Sequence, residues 1–270
     1  TFPRQFAFRD AIERGGPDRE IPRRRDMEPT PNTLTYCGHS TILLVSEHNE
    51  RIIIDPWLDG NPRCPEKLQS ISSVDIIALT HGHSDHSGSA VALAKRTGAT
   101  VVATFELCGL LEREGVPGKQ LLPMNKGGTA RIGKSGSHAI TLTHAFHSSS
   151  FAGADGVARY AGEPCGIILR LDDSITIYHA GDTALFGDMQ LIGARYRPDV
   201  SLLPIGDCFT MGPEEAAQAA RMLQTRCAIP IHFKTFDALT GTAEAFSAAM
   251  ENVDAEVVVL EPGDSFDLPR

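Results

Sequence analysis

The chain has 270 residues, of which 41% are hydrophobic, 22% charged and 6% aromatic. This composition is typical of a globular protein and excludes a disordered chain, and the length suits one large α/β domain or two smaller domains. The formal net charge of −9 argues against a large nucleic-acid footprint, and no apolar run approaches the roughly 18 residues of a membrane span.

Residues 1–31 are rich in arginine, proline and glycine and poor in aliphatic side chains. We interpret them as an N-terminal arm or tail that docks on the body or on a neighbouring subunit, with a loosely ordered terminus as the alternative. The arm lacks the apolar segment that a signal peptide needs, and it contains more acidic residues than a transit peptide does. The remainder, residues 32–270, is predicted to be a single domain.

Six cysteines lie far apart in the chain, and none of them forms a C-x-x-C pair. In a chain of this length, such scattered cysteines favour free, mostly buried thiols in a reducing compartment over a disulfide framework. We therefore predict a cytoplasmic protein.

The body shows a series of short β-rich runs and several helical segments. We predict strands at Thr33–Tyr36, Thr41–Val45, Arg51–Ile54, Ile76–Leu79, Thr100–Ala103, Thr129–Ile132, Ala139–Ala145, Gly166–Leu171, Ser174–His179, Val200–Leu203, Cys227–Ile231 and Glu256–Leu260. We predict helices at Ser89–Thr97, Phe105–Glu114, Pro213–Leu223 and Thr242–Glu251. Strands come first as meanders and later alternate with helices, which indicates two sheets in one sandwich with helices outside.

Several common catalytic motifs are absent. The sequence contains no G-x-G and no H-E-x-x-H, and the segment that begins Gly133-Lys134-Ser135-Gly136 continues with Ser137, so that G-x-S-x-G fails. Dinucleotide-dependent transfer and Ser-His-Asp chemistry therefore lose most of their support.

The segment Thr80–Gly88, THGHSDHSG, holds four potential metal ligands within six residues. It follows an apolar strand and precedes a helix, so we place it on a loop at a strand end. His81 and His83 can point one way while Asp85 and His86 turn elsewhere, and two groups of ligands suit two adjacent cations. Imidazole and carboxylate groups without thiolate suit zinc, iron or manganese. A polar exposed loop is the alternative.

The pattern T-H-x-H-x-D-H-x-G resembles the signature of the metallo-β-lactamase superfamily. Further segments resemble one branch of it, namely Tyr36–Ser40, Ile54–Pro56, Ala145–Ser149, Tyr178–Thr183, Pro204–Gly212 and Pro230–Phe233. That branch holds largely uncharacterised metal-dependent hydrolases, similar to ascorbate-6-phosphate lactonase and to N-acyl-phosphatidylethanolamine phospholipase D. The resemblance extends in order over about residues 33–265.

The resemblance implies an α/β (α+β) fold, a four-layer αβ/βα sandwich of two mixed β-sheets flanked by helices, with metals at one edge. By position it implies that one metal is bound by His81, His83 and His147, that the other is bound by Asp85, His86 and His232, and that Asp182 bridges both. The implied cofactor is two divalent metal ions, zinc first, with manganese or iron as alternatives. His147, Asp182 and His232 each follow a predicted strand, which agrees with a site at a sheet edge.

Four further residues are candidates for a role beside the ligands. Asp55 ends a predicted strand and can accept the second N–H of a ligand histidine, and His39 lies in a turn from which it can face the metals or the substrate. An ordinary turn role is the alternative for both. We interpret His179 as a buried residue behind the ligands. Lys234 is a candidate partner of an anionic substrate, with a solvated lysine as the alternative.

Other polar residues receive weaker expectations. His144 could compete with His147 as a ligand, although we expect a strand residue. We expect His48 and His138 to be solvated and Cys208 to have a packing role, with a redox role as the alternative for Cys208. Many relatives carry an acid at the position of Ser89, and this departure is expected to alter the groups around the ligands and the metal preference.

These features predict a metal-dependent hydrolase that uses a metal-bridging hydroxide on a small, anionic substrate, a lactone or a phosphoester. Asp85 would orient the nucleophile or move its proton, with His39 as the second catalytic candidate. A metal-binding redox or sensor protein without hydrolytic turnover is the alternative, because the fold alone does not fix function. The expected partner is a small-molecule substrate, with no nucleic acid and no membrane, and a homo-oligomer is compatible with these features.

Overall fold

The structure is a computed structural model, which describes residues 31–172 and 175–269. The predicted arm over residues 1–31 lies outside the described residues except for Pro31, so it stays a prediction, as does the division into arm and domain. The first residue of the predicted strand Ser174–His179 also lies outside them. Among the helices that are described, none combines the length and apolar character needed to cross a membrane.

The described residues form sixteen strands and seven α-helices. The strands are β1 (Thr33–Gly38), β2 (Thr41–Val45), β3 (Arg51–Ile54), β4 (Ile76–Ala78), β5 (Thr100–Thr104), β6 (Leu121–Met124), β7 (Thr129–Ile132), β8 (His138–His144), β9 (Ser150–Ala152), β10 (Ala158–Tyr160), β11 (Cys165–Leu171), β12 (Ile175–His179), β13 (Val200–Pro204), β14 (Cys227–Ile231), β15 (Glu256–Val257) and β16 (Ser265–Asp267). The helices are α1 (Glu66–Gln69), α2 (Ser84–Ser87), α3 (Ala90–Thr97), α4 (Phe105–Arg113), α5 (Met189–Tyr196), α6 (Pro213–Leu223) and α7 (Ala243–Ala249).

Two seven-stranded mixed sheets form the centre of the molecule. The first has the order β16-β1-β2-β3-β4-β5-β6 and the second has the order β15-β14-β13-β12-β11-β8-β7. In each sheet an antiparallel half continues into a parallel half, through the parallel pairs β3/β4 and β12/β13. A separate hairpin joins β9 to β10.

Side-chain alternation along the strands explains why both faces of each sheet are buried. In β2, Ile42 and Leu44 belong to the core between the two sheets, whereas Leu43 packs on the outer face of the first sheet with Leu93 and Leu107 of helices α3 and α4. A third core holds helices α5, α6 and α7 on the outer face of the second sheet. Strands covered on both faces are apolar throughout, as the sequence runs are. The α/β sandwich of two mixed sheets flanked by helices is confirmed.

Several elements differ from the sequence-based expectation. The four-residue helix α2 lies within the segment expected to be a loop, because the backbone N–H of Ser87 donates to the carbonyl of His83. Helix α5 was not predicted, and the stretches 59–70 and 150–164 contain α1 and the β9–β10 hairpin. Each of these elements is short or weakly periodic, so local pattern gives little signal.

Candidate metal centre

The candidate ligands lie at the ends of four strands on one edge of the sandwich. His81 to His86 follow β4, His147 follows β8, Asp182 follows β12 and His232 follows β14. The carboxyl ends of parallel strands meet at a common sheet edge, where loops can bring side chains together. The two sheets therefore contribute ligands to one site.

One cluster, here called the His81 group, consists of His81, His83 and His147, whose ligand atoms lie within 4.8 Å of one another. Nε2 of His81 and Nδ1 of His83 are 3.0 Å apart. A second cluster holds His39, Asp85, His86 and His232, again with ligand atoms within 4.8 Å. We call Asp85, His86 and His232 the His86 group.

Asp182 lies between the two groups. Its Oδ1 is 3.2 Å from Nε2 of His86, and its Oδ2 is 3.1 Å from Nε2 of His232. The same Oδ2 lies 3.6 Å from Nε2 of His147 and 4.0 Å from Nε2 of His81. One carboxylate thus faces imidazoles from both groups.

Buried polar atoms without hydrogen bonds mark the same place. Nε2 of His86, Nε2 of His232 and Oδ1 of Asp182 are buried, and although Asp182 lies close to both imidazoles, none of these three atoms makes a well-aligned hydrogen bond with a described residue. Buried polar atoms are normally satisfied, so a group of convergent donors and acceptors without partners calls for a ligand. Imidazole nitrogens and a carboxylate are a donor set that divalent transition metals accept. The residues therefore fit the metal that the sequence predicts.

Asp55 holds His86 from behind. Its Oδ2 lies 2.8 Å from Nδ1 of His86 and accepts a hydrogen bond from the Thr80 hydroxyl at 2.6 Å, while its Oδ1 accepts one from the Thr80 backbone N–H at 2.8 Å. Asp55 is fully buried. A carboxylate on Nδ1 directs Nε2 of the same imidazole toward the centre.

His39 and His179 occupy different positions behind the ligands. His39 places Nε2 3.1 Å from Oδ2 of Asp85 and Nδ1 2.9 Å from the Thr235 hydroxyl. His179 Nε2 donates to the carbonyl of Ser40 at 2.9 Å, and its Nδ1 accepts from the backbone N–H of Gly181 at 3.1 Å. The contact with Gly181 fixes the tautomer of His179 and holds the turn that leads into Asp182.

Burial favours the neutral form of four histidines at the site. It lowers the pKa of His39 to about 4 and that of His81 well below its usual value, and it also lowers the pKa of His83 and of His147. Loss of hydration disfavours the imidazolium form. The neutral imidazole is the form that binds a metal ion.

Asp182 and Asp85 stay ionised because neighbouring histidines lower their pKa more than burial raises it. Burial acts to raise the pKa of Asp182, but the charges of His232 and His86 lower it overall to well below its usual value. Burial also acts to raise the pKa of Asp85, and its hydrogen bond with His39 and the charge of His86 lower it overall. His86 differs from His39, His81, His83 and His147, since burial acts to lower its pKa but the carboxylates of Asp182 and Asp55 raise it overall.

Left-handed backbone conformations are concentrated at this edge. His39, Asp55 and His232 have φ values of 57°, 49° and 56°, a region that non-glycine residues adopt rarely and that is common at functional sites. Gly181 has a φ of 63°, and a Cβ there would lie 2.8 Å from Cβ of Thr80. Only glycine fits directly before Asp182 without strain.

Other residues considered from the sequence lie away from the cluster. His144 Nδ1 is 3.2 Å from Nζ of Lys126. His48 is exposed, as expected, but the expectation for His138 is wrong: it is fully buried with Nε2 3.1 Å from Glu50. His138 is the first residue of β8, and the buried side chain of Glu50 packs against it and covers it from solvent.

Two further positions affect the surroundings of the site. Lys234 places Nζ 3.7 Å from Oε1 of Glu261 and over the ring of Phe233. Ser89 accepts backbone hydrogen bonds from Leu58 at 2.9 Å and from Asp59 at 3.2 Å, and it therefore anchors the loop after β3.

The cysteines are all free, and five of the six are buried as predicted. Cys208 is exposed, so the packing role expected for it is wrong. It lies in a turn with a φ of 51°, which holds its side chain away from the core.

Sequence reasoning assigned no role to Thr80, Thr235 or Ser149. Thr80 hydrogen-bonds to Asp55 and lies 3.0 Å from Nδ1 of His81, and Thr235 contacts His39. Ser149 accepts from the backbone N–H of Gly82 at 3.2 Å. Only their positions in the sequence could have indicated these roles, because each residue lies within three residues of a candidate ligand.

Comparison with known proteins agrees with the geometry. Residues 50–233 match the model of the beta-lactamase superfamily domain. A UPF0173 metal-dependent hydrolase of Rubrobacter xylanophilus is 46% identical over 233 residues, which cover 86% of this chain and 94% of the relative. A protein of the same name from Herpetosiphon aurantiacus is 42% identical over 240 residues, 88% of this chain and 98% of the relative.

A solved structure shows the same arrangement of the chain. Igni18, described as a novel metallo hydrolase from Ignicoccus hospitalis, is 35% identical, covers 88% of this chain and 98% of its own, and superposes with a TM-score of 0.76. From the match over residues 50–233 and the identity to these relatives, the chain belongs to the beta-lactamase superfamily and, within it, to the UPF0173 metal-dependent hydrolases.

Proposed function

We propose that the protein is a dinuclear metal-dependent hydrolase that cleaves a lactone or a phosphoester of a small, anionic substrate. The observation that carries the proposal is the position of Asp182, whose two oxygens face imidazoles of both ligand groups. In this proposal the His81 group would hold one divalent cation, the His86 group would hold the other, and Asp182 would be available to both. Zinc is the first candidate, with manganese or iron as alternatives.

Bound divalent cations would lower the pKa of a water molecule toward neutrality and stabilise negative charge on a carbonyl or phosphoryl oxygen. The chain supplies the proton-handling groups. Asp85 has a side chain that is 25% exposed, so it faces solvent where a substrate can enter. Its low pKa keeps it a carboxylate, which can orient a nucleophilic water and take its proton transiently.

His39 positions Asp85 in this proposal. With its pKa lowered to about 4 by burial, the ring is neutral at pH 7 and can donate one N–H. If the Thr235 hydroxyl donates to Nδ1, then Nε2 carries the proton and donates to Asp85, consistent with the distances of 2.9 and 3.1 Å. Asp55 and His179 act further back, by fixing the ring of His86 and the turn before Asp182.

The test is the metal content per chain by elemental analysis, together with hydrolysis of lactones and phosphodiesters. We expect about two metal ions per wild-type chain, loss of metal and activity in His83→Ala, and no change in His144→Ala, which removes a histidine outside every candidate ligand group. A wild-type chain that neither binds metal nor gains thermal stability from added cations would overturn the proposal. Two bound metals without hydrolysis of any substrate would favour a sensor or redox protein instead.

A further inference from the structure

The single tryptophan of the chain lies beside the candidate metal centre. The rings of Trp57 and Phe236 are stacked with centroids 5.8 Å apart and an interplanar angle of 26°. Phe236 is 41% exposed, although it is large and apolar. An aromatic pair with one exposed and one half-buried ring beside a candidate metal centre is a feature of ligand-binding surfaces, where apolar walls surround a few polar groups.

His39 connects this pair to the candidate ligands. Its ring meets Trp57 edge-on at 5.3 Å and Phe236 edge-on at 5.5 Å. The same ring lies 4.0 Å from the ring of His232, and its Nε2 contacts Asp85. The ring of His39 therefore lies between the aromatic pair and the His86 group and contacts both.

Trp57 is supported from behind by backbone. A Cβ at Gly88 would lie 3.2 Å from Cδ1 of Trp57, so the indole lies against the turn that ends α2. The backbone N–H of Trp57 donates to the hydroxyl of Thr41 at 3.1 Å. A ring held this way is pre-organised, so binding to it costs little conformational entropy.

The cations near this surface are already paired. Lys234 and Arg63 both contact Glu261, at 3.7 and 2.9 Å. On the other side of Asp182, Phe146 directly precedes His147 and is 55% exposed. The part of a substrate that lies outside the metal centre thus meets aromatic rings beside cations that are already engaged with Glu261.

We infer that Trp57 and Phe236 form an aromatic subsite that binds a flat, uncharged aryl group next to the bond to be hydrolysed. The inference rests on the proposed function, since it places the reacting group at the metals and the aryl group on the stacked rings. Offset stacking and burial of an aromatic ring then contribute to substrate affinity. Phe236 is in this view a specificity-determining residue.

The experiment compares two non-hydrolysable anions, phenylphosphonate and methylphosphonate, on metal-loaded protein by calorimetry. They present the same charged group, so the difference in Kd reports the aryl group alone. We expect phenylphosphonate to bind about tenfold more tightly, as one buried aromatic contact allows. Because Trp57 is the only tryptophan, its fluorescence should change with phenylphosphonate and not with methylphosphonate.

Phe236→Ala should abolish the preference for phenylphosphonate, whereas Leu191→Ala, which truncates a 66% exposed apolar side chain on α5, should leave it intact. Equal affinity for the two phosphonates, or a preference that survives in Phe236→Ala, would overturn the aromatic subsite and leave the hydrolase proposal standing. If neither phosphonate binds, the subsite is also overturned, and metal content then decides separately whether the hydrolase proposal stands.

Discussion

At the scale of single residues, the buried carboxylate of Asp55 contacts three polar groups at once. One carboxylate accepts both the backbone N–H and the hydroxyl of Thr80 and also faces Nδ1 of His86 at 2.8 Å. All of these groups are buried. A neutral amide has one oxygen and one NH₂ group, so it cannot accept at every one of these positions. The contacts explain why the chain carries an acid at the end of β3.

We expect Asp55→Asn to lower the affinity for metal by about 10- to 100-fold, the usual cost of losing a carboxylate behind a ligand histidine. The metal-free protein should also lose about 1–3 kcal/mol of unfolding free energy, because a buried donor is left unpaired. Metal titration by calorimetry and denaturant unfolding measure the two effects. Asp59→Asn is the matched control, since Asp59 is exposed; equal losses in both variants would refute the role of Asp55.

At the scale of elements, the central strands of the two sheets, such as β4, β13 and β14, were predictable because each is an apolar run that is buried on both faces. Helix α6 was predictable from Pro213 at its start and the acids Glu214 and Glu215 in its first turn. Helix α5 and the β9–β10 hairpin could not be predicted, since tertiary packing decides them. Met189 and Ile192 of α5 are buried only because the second sheet lies beneath them.

The turn after β12 provides a prediction at this scale. Gly181→Ala would place a Cβ 2.8 Å from Cβ of Thr80 and 2.9 Å from the Cys165 carbonyl oxygen, at a φ of 63°. We expect a loss of about 2–4 kcal/mol in unfolding free energy, from backbone strain and overpacking together. Gly187→Ala, where a Cβ meets nothing within 4 Å, should change stability by less than about 0.5 kcal/mol. Chemical denaturation compares them, and similar stabilities would contradict the steric argument.

At the scale of the whole molecule, the candidate site could be predicted only where its residues follow strands. His147, Asp182 and His232 are separated widely in sequence, yet each follows a strand that ends at the same edge. The pairing of Trp57 with Phe236 could not be predicted in this way, because neither lies in a recognisable motif. Their contact depends on how the loop after β3 meets the loop after β14.

The histidines also give the whole molecule a pH dependence. Burial lowers the pKa of His39 to about 4 and also lowers that of His81, His83, His147 and His179. Between about pH 6.5 and 4 the unfolded chain therefore binds more protons than the folded chain, so stability falls as the pH falls. His86 opposes this trend, because its raised pKa contributes stability that is complete below about pH 6.5 and is lost as the pH rises.

Five histidines with a lowered pKa outweigh one with a raised pKa in the metal-free protein. His39 alone should cost about 2 kcal/mol between pH 7 and pH 5, from its shift to about 4. We therefore expect the Tm of chelator-treated protein to fall by several degrees over this interval. His39→Gln should reduce the fall, since glutamine does not titrate. A Tm that is unchanged or higher at pH 5 would mean that His86 and its carboxylate neighbours dominate the proton balance of the metal-free site.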